Sequence, residues 1–398
     1  MSAGMLRSAL ILGLLSCVGP LSIDMYLPAL PTVADHLDST VGAVQMTLTV
    51  FFIAFGASQL VYGPIADQVG RKPPLYFGLA IFILGSVGCA MAPNIEVLMA
   101  ARFVQGLGAA VLMVIPRAII RDLHTGVEAT RLMALIMLVI SVSPMLAPLA
   151  GSGMILLAGW RSIFLLLCVA AVCSLLLTGF MLPETLKPEN RVVFNRRSFM
   201  KGARTLLTDT EFMGLTFIGG FGMASFFVFI ASASFVYSDQ FGLSPTGFSI
   251  AFAINAIGFF AASQTAAGFG KRFGMARVVS AAVAGFCVLT IILFALTLAG
   301  YGSLVVIVGF LFAANACLGL VIPTTMVLAL DNHGDIAGLA SSLGGTLQMV
   351  AGGAMIAAAS PFFDGTATPM IAAITLCGIA AFVLSRLIPL REGIPEAG

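Results

Sequence analysis

Asp24, in the stretch PLSIDMYLPALP (20–31), is the only carboxylate well inside a long apolar run of this sequence. Low dielectric disfavours the charged form of such an acid, which makes Asp24 a candidate proton carrier. The competing reading is a wetted, inert aspartate near the end of a membrane helix. Pro20, Pro28 and Pro31 favour the first reading, because broken helical backbone is tolerated where it lines a protein or water cavity. Arg102, in RFVQGLGAA (102–110), is a second embedded charge. A guanidinium cannot neutralise itself, so Arg102 either snorkels outward or finds acceptors; facing inward, it would tune Asp24 electrostatically. Gln105 lies one turn further on, and Gly106 and Ala110 form a small-xxx-small pair suited to close helix packing. Arg117, nearer the helix end, is expected to snorkel or to pair with Asp122.

The segment GPIADQVGRK (63–72) reads as a turn between antiparallel helices. Its glycines permit a tight bend, and Asp67, Arg71 and Lys72 can bridge to neighbouring helix ends or dipoles. In the equivalent place of the second half, AGFGKRFGMAR (267–277) keeps glycines and basic residues but loses the acid, as a diverged internal repeat would. Cys17, Cys89, Cys168, Cys173, Cys287, Cys317 and Cys377 all lie in apolar runs without a CxxC pair, and read as small buried hydrophobes. His36, His124 and His333 fall in short polar loops, so no metal site is expected. Neither HExxH nor a GxxxxGK[ST] phosphate loop is present, which disfavours an intramembrane enzyme or a signalling receptor.

These residues need elements to hold them. Of the 398 residues 60% are hydrophobic and 9% charged, against about 25% charged in a typical soluble domain. That excludes an ordinary soluble protein, and a formal charge of +2 gives no basic excess for a nucleic-acid partner. The expected solvent is a lipid bilayer, and the expected fold class is an all-α polytopic membrane protein. Runs of about 20 apolar residues give twelve spans: 8–30, 43–63, 75–93, 97–119, 132–157, 162–182, 212–237, 247–268, 278–299, 303–330, 338–360 and 368–388. The first, behind Arg7, has no small-residue cleavage site after it and reads as a span, not a signal peptide. A polar central loop, 183–211, divides a six-helix bundle at 1–182 from a second at 212–398. Sixteen Lys and Arg residues fall on the side of the termini and the central loop; only Arg161 falls on the other. The termini are therefore expected to be cytoplasmic.

At this point the sequence resembles the major facilitator superfamily, specifically its twelve-span drug/proton antiporters of the Bcr/CflA type. Gly63, Asp67, Gly70, Arg71 and Lys72 match the superfamily's loop motif, with Gln68 replacing the usual basic residue; Asp122 is grouped with this conformational-switch loop. Arg102, Gln105, Gly106 and Gly108 match the span-four motif associated with proton transfer. In SPMLAPLAGS (143–152), Ala147, Pro148 and Gly151 resemble the span-five antiporter motif, while Ser143, Ala147 and Ser152 depart from its glycines. The stretch 20–31 places Asp24 where such exporters carry a coupling acid, and Tyr26 and Pro28 share that signature.

The resemblance implies a monomer in the bacterial inner membrane, with two six-helix bundles around a cavity that opens alternately to each side. It implies exchange of external protons for cytoplasmic drugs of phenicol, bicyclomycin or sulfonamide-like type, driven by the proton gradient with no cofactor. Asp24 would carry the proton in competition with drug, and Arg102 would adjust its affinity. Candidate substrate contacts are Asp24, Tyr26 and Gln105 in the first half and Phe226, Phe229, Tyr237, Asn255, Gln264, Asn315 and Gln348 in the second. For the aromatics, lipid-facing or core packing is the competing reading. A proton-coupled uptake symporter of the same fold for a small metabolite is the competing function.

Overall fold

The computed structural model describes residues 3–123, 126–191, 195–331 and 333–388. His124 and Arg391 lie outside the described residues, and the side chains of Arg7 and Arg131 outside the described side chains. Among the described residues, twelve helices are long and apolar enough to cross a membrane. They are Ile11–His36, Val41–Val69, Lys72–Met91, Ile95–Leu123, Ile140–Ala158 and Arg161–Met181, then Thr210–Gln240, Pro245–Phe273, Met275–Leu298, Leu304–Asp331, Gly334–Phe362 and Ala367–Leu387. An additional helix, Arg196–Thr208, forms within the stretch read from sequence as the central loop.

The chain divides into two compact units, Met1–Asn195 and Arg196–Gly398, with six spans in each. In the first unit the second span packs on the fourth, the third on the fourth and sixth, and the fifth on the first. The second unit repeats this pairing six spans later: eighth on tenth, ninth on tenth and twelfth, eleventh on seventh. Close approach depends on missing side chains. A Cβ on Gly106 would strike the Phe51 backbone of the second span, and one on Gly108 the backbone at Gly78 and Phe82 of the third. Gly319 meets the backbone of Phe259 in the same way, joining the tenth and eighth spans.

Helix ends in such a protein must satisfy orphaned backbone groups, and short polar side chains do so here. Thr40 Oγ1 accepts from the Ala43 N–H, Asn94 Oδ1 from Val97, Ser244 Oγ from Gly247 and Asp209 Oδ1 from Glu211 and Phe212.

Three sequence expectations change. Residues 63–69 are not a turn: the second span continues through Pro64 to Val69, and the connection to the third span is confined to Gly70, at φ +106°, and Arg71. Gly274, at φ +88°, makes the corresponding join between the eighth and ninth spans. Polar residues ended the span in the sequence, yet a helix does not stop where hydrocarbon ends. Cys173 is exposed, on a sixth span whose outer face has no protein covering it. His36 belongs to the last helical turn of the first span, Leu30–His36.

Candidate functional site

The first span is broken where its acid sits. Its main helix ends at Asp24, a 3-10 turn follows at Leu27–Ala29 with Pro28 inside it, and helix resumes at Leu30. Asp24 therefore occupies a helix C-terminus, where the negative end of the dipole opposes an ionised carboxylate. The residue is 6% exposed, and no hydrogen bond or ion pair reaches its carboxylate among the described residues. Next to it, Gly151 of the fifth span lies against the Met25 backbone so closely that a Cβ would collide with it. This gives the span-five motif a role: it lets that helix abut the first at the residue after Asp24. Ala147 is buried nearby in sequence, and Pro148 lies inside the same helix, Gly126–Ala158.

Arg102 does not snorkel. It is fully buried, with Nη1 donating to the Ser22 carbonyl of the first span at 3.0 Å and to Gln105 Oε1 at 2.5 Å. Gln105 Nε2 donates in turn to Ser86 Oγ at 2.8 Å, on the third span. The guanidinium lies 4.3 Å from the Phe51 ring, 4.8 Å from Tyr26 and 5.8 Å from Phe164. Ring faces thus partly take the place of a carboxylate as counter-charge. Its Nε and Nη2 have no hydrogen-bond partner among the described residues. Arg102 reaches the span of Asp24 through backbone, two residues away, and makes no contact with the acid itself.

Tyr26 and Gln105, expected as substrate contacts, are interior here. Both are fully buried, and their polar atoms are engaged by protein. Thr47 Oγ1 donates to Val44 O, so the Tyr26 hydroxyl donates to Thr47 Oγ1 at 3.1 Å. Of the two readings of Arg117, pairing with Asp122 does not hold: Arg117 is exposed, and Asp122 is taken by Arg71.

That second pairing organises the other end of the unit. Arg71, 6% exposed, donates Nε and Nη2 to the two oxygens of Asp122 at 2.7 and 3.2 Å and Nη1 to Asp67. The two carboxylates raise the affinity of Arg71 for its proton more than burial lowers it. Thr185 Oγ1 also donates to Asp122, at 2.9 Å. Lys72 Nζ donates to the Gly179 carbonyl at 3.3 Å. Gly63, by contrast, is helical with open space beside it.

Sequence reasoning missed Glu184. Its carboxylate accepts the backbone N–H groups of Arg71 at 2.9 Å and Lys72 at 3.1 Å, capping the third span from the segment after the sixth. The sequence signal was an acid directly after a span, in PETLK, within an otherwise basic stretch. Burial raises its pKa, but N–H donors from Arg71, Lys72, Leu186 and Thr185 outweigh this and leave it below the usual glutamate value. A depressed folded-state pKa contributes stability that is present at neutral pH and lost as pH falls through that lowered value. Glu184→Ala is expected to destabilise the protein by about 1 kcal/mol, the scale of a lost helix cap. A lower thermal midpoint at pH 7, with the gap to wild type closing in acid, would show it; equal midpoints at pH 7 would refute it.

In the second unit Phe229 stacks on Phe252 at 5.7 Å and the half-buried Phe226 stacks on Phe259 at 5.9 Å. These contacts join the seventh and eighth spans, the core-packing reading of the aromatics. Tyr237, Asn255, Asn315 and Gln348 are buried, whereas Gln264 is exposed. Among the described residues the Tyr237 hydroxyl, Asn255 Oδ1 and Asn315 Nδ2 have no hydrogen-bond partner, an uncommon state for buried polar atoms. Asn255 Nδ2 is spent on the Ala251 carbonyl one turn back.

Two six-span units with repeated pairing, broken spans and buried, incompletely partnered polar groups define a multi-pass membrane transporter. Residues 12–358 match the family model of the Major Facilitator Superfamily, and the chain belongs to that superfamily. It is 36% identical over 367 residues to the uncharacterized MFS-type transporter YdgK of Bacillus subtilis, covering 92% of this chain and 91% of that relative. It is 29% identical over 370 residues to a bicyclomycin resistance protein homolog of Haemophilus influenzae, covering 92% of each. The crystal structure of the nucleoside transporter NupG matches with a TM-score of 0.75 at 14% identity, covering 96% of this chain and 98% of that one, a likeness of fold alone.

Proposed function

We propose that the protein is a proton-coupled drug exporter of the bacterial inner membrane, with both termini cytoplasmic. It exchanges external protons for cytoplasmic drug by alternating access, without a cofactor and as a monomer. The observation that carries this reading is Asp24: a carboxylate 6% exposed, unpaired among the described residues, at the C-terminal end of a broken helix. Such a group binds a proton readily and releases it when its surroundings become wetter or more positive. Arg102, anchored on the Ser22 carbonyl two residues from Asp24, holds the helix that carries the acid without sealing the acid in an ion pair. The relative from Haemophilus influenzae, a bicyclomycin resistance protein homolog, supports a drug of bicyclomycin type.

Everted membrane vesicles with an imposed proton gradient test the direction of exchange. Drug accumulation that collapses on adding an uncoupler is expected. Gradient-driven uptake into intact cells, with no accumulation in everted vesicles, would establish symport instead.

A further inference from the structure

The outer end of the first unit holds a second titratable contact, independent of Asp24. The Trp160 indole N–H donates to His36 Nδ1 at 3.0 Å. A donor needs a lone pair opposite it, so Nδ1 is unprotonated here and the ring proton sits on Nε2. His36 is exposed, and Trp160 is buried to 1% exposure. The bond ties the last turn of the first span to the residue that opens the sixth.

Behind it runs a continuous aromatic path. Trp160 meets Phe164 edge-on at 6.2 Å, Phe164 meets Tyr26 at 5.4 Å, and the Arg102 guanidinium lies over both of the latter rings. The segment of His36 packs on the second span, whose only charged residue, Asp67, lies at the far end of that helix; Asp35 and Asp38 flank His36 on its own segment, and Arg161 follows its partner Trp160 on the sixth span. Arg161 covers the Trp160 ring at 4.3 Å and is anchored on the Ala92 carbonyl at 2.8 Å. No carboxylate forms an ion pair with His36 among the described residues. A proton on Nδ1 would therefore remove the acceptor, leave a buried indole donor unpaired and set a second cation near Arg161.

We propose that His36 Nδ1 is a second proton-binding site, and that protonation there unlatches the first span from the sixth and loosens the aromatic packing around Arg102. Only the side of the membrane on which this proton arrives rests on the exporter reading above. The latch is closed while Nδ1 carries no proton and opens when one binds there.

Trp160 is the only tryptophan in the chain, so its fluorescence reports the contact directly. In purified full-length protein titrated from about pH 8 to pH 5, across the range in which histidine changes charge, a single reversible step in indole emission is expected. His36→Gln supplies an amide oxygen that accepts the indole proton without titrating, and should give a flat curve; His36→Asn is the second variant. A wild-type curve without a step, or a step that survives in both variants, would overturn the proposal. Loss of a neutral hydrogen bond biases a two-state equilibrium about five-fold, so the external-pH profile of transport should lose a step of that size in His36→Gln. If everted vesicles show no drug exchange while the emission step is present and vanishes in His36→Gln, the exporter reading fails and the latch stands.

Discussion

Asp24→Asn is expected to abolish drug-driven proton release, by at least about 100-fold, the scale lost when a positioned proton-transfer group is removed. Asparagine preserves the shape of the side chain but exchanges no proton. The native carboxylate makes no hydrogen bond or ion pair among the described residues, so the substitution breaks no contact that holds the fold. Insertion and thermal midpoint should therefore stay close to wild type, within about 1 kcal/mol. Proton release on adding drug to solubilised protein, followed with a pH indicator, measures the effect. Undiminished proton-coupled export by the variant would remove Asp24 as the carrier. Asp24→Glu, which retains a titratable group with a longer reach, should keep partial coupling, and that separates proton chemistry from simple damage to the site.

The second large effect is expected at Arg102. Truncation to alanine leaves the Ser22 carbonyl and Gln105 Oε1 without their donor, and opens a space among Phe51, Tyr26 and Phe164. Unpaired buried polar groups and a new cavity together cost about 3–5 kcal/mol. Arg102→Lys should recover only part, because a point charge cannot bridge two acceptors and lie flat on rings at once. Arg117→Ala is the internal comparison: that side chain is exposed and makes no hydrogen bond or ion pair among the described residues, so the expected change is within about 0.5 kcal/mol. Thermal unfolding in detergent, alongside drug-driven proton release, checks both. Equal effects of the two alanine substitutions on stability and coupling would contradict the buried network.

Much of the architecture was legible in the chain. Apolar runs of spanning length are hard to misread, because lipid leaves a backbone few ways to satisfy its hydrogen bonds. The boundaries were less legible: the second span outran its apolar stretch by six residues, since Pro64 and Asp67 are compatible with helix beyond the hydrocarbon. Gly106 and Ala110 announced close packing, but not that Gly106 meets the second span and Gly108 the third. Tyr26 and Gln105 carried the right residue types for substrate contact, yet tertiary packing consumed their polar atoms. Asp122 was grouped with the loop of Asp67 and Arg71 and also offered as one of two fates for Arg117; the structure gives it to Arg71, whose planar guanidinium can hold Asp122 and Asp67 together.

The sequence by itself determined that this is a twelve-span membrane protein with one embedded acid, an arginine within the fourth span and a repeated half. Each of these follows from residue type and local spacing, the quantities that set hydrophobic length and the energy of an isolated charge in lipid. Tertiary structure alone decided the partners. That Arg102 binds the first span's backbone and not Asp24, that Glu184 caps a helix 112 residues earlier at Lys72, and that Trp160 finds His36 are contacts between distant segments. Such contacts depend on which helix faces meet, and a pattern of local hydrophobicity carries no record of that.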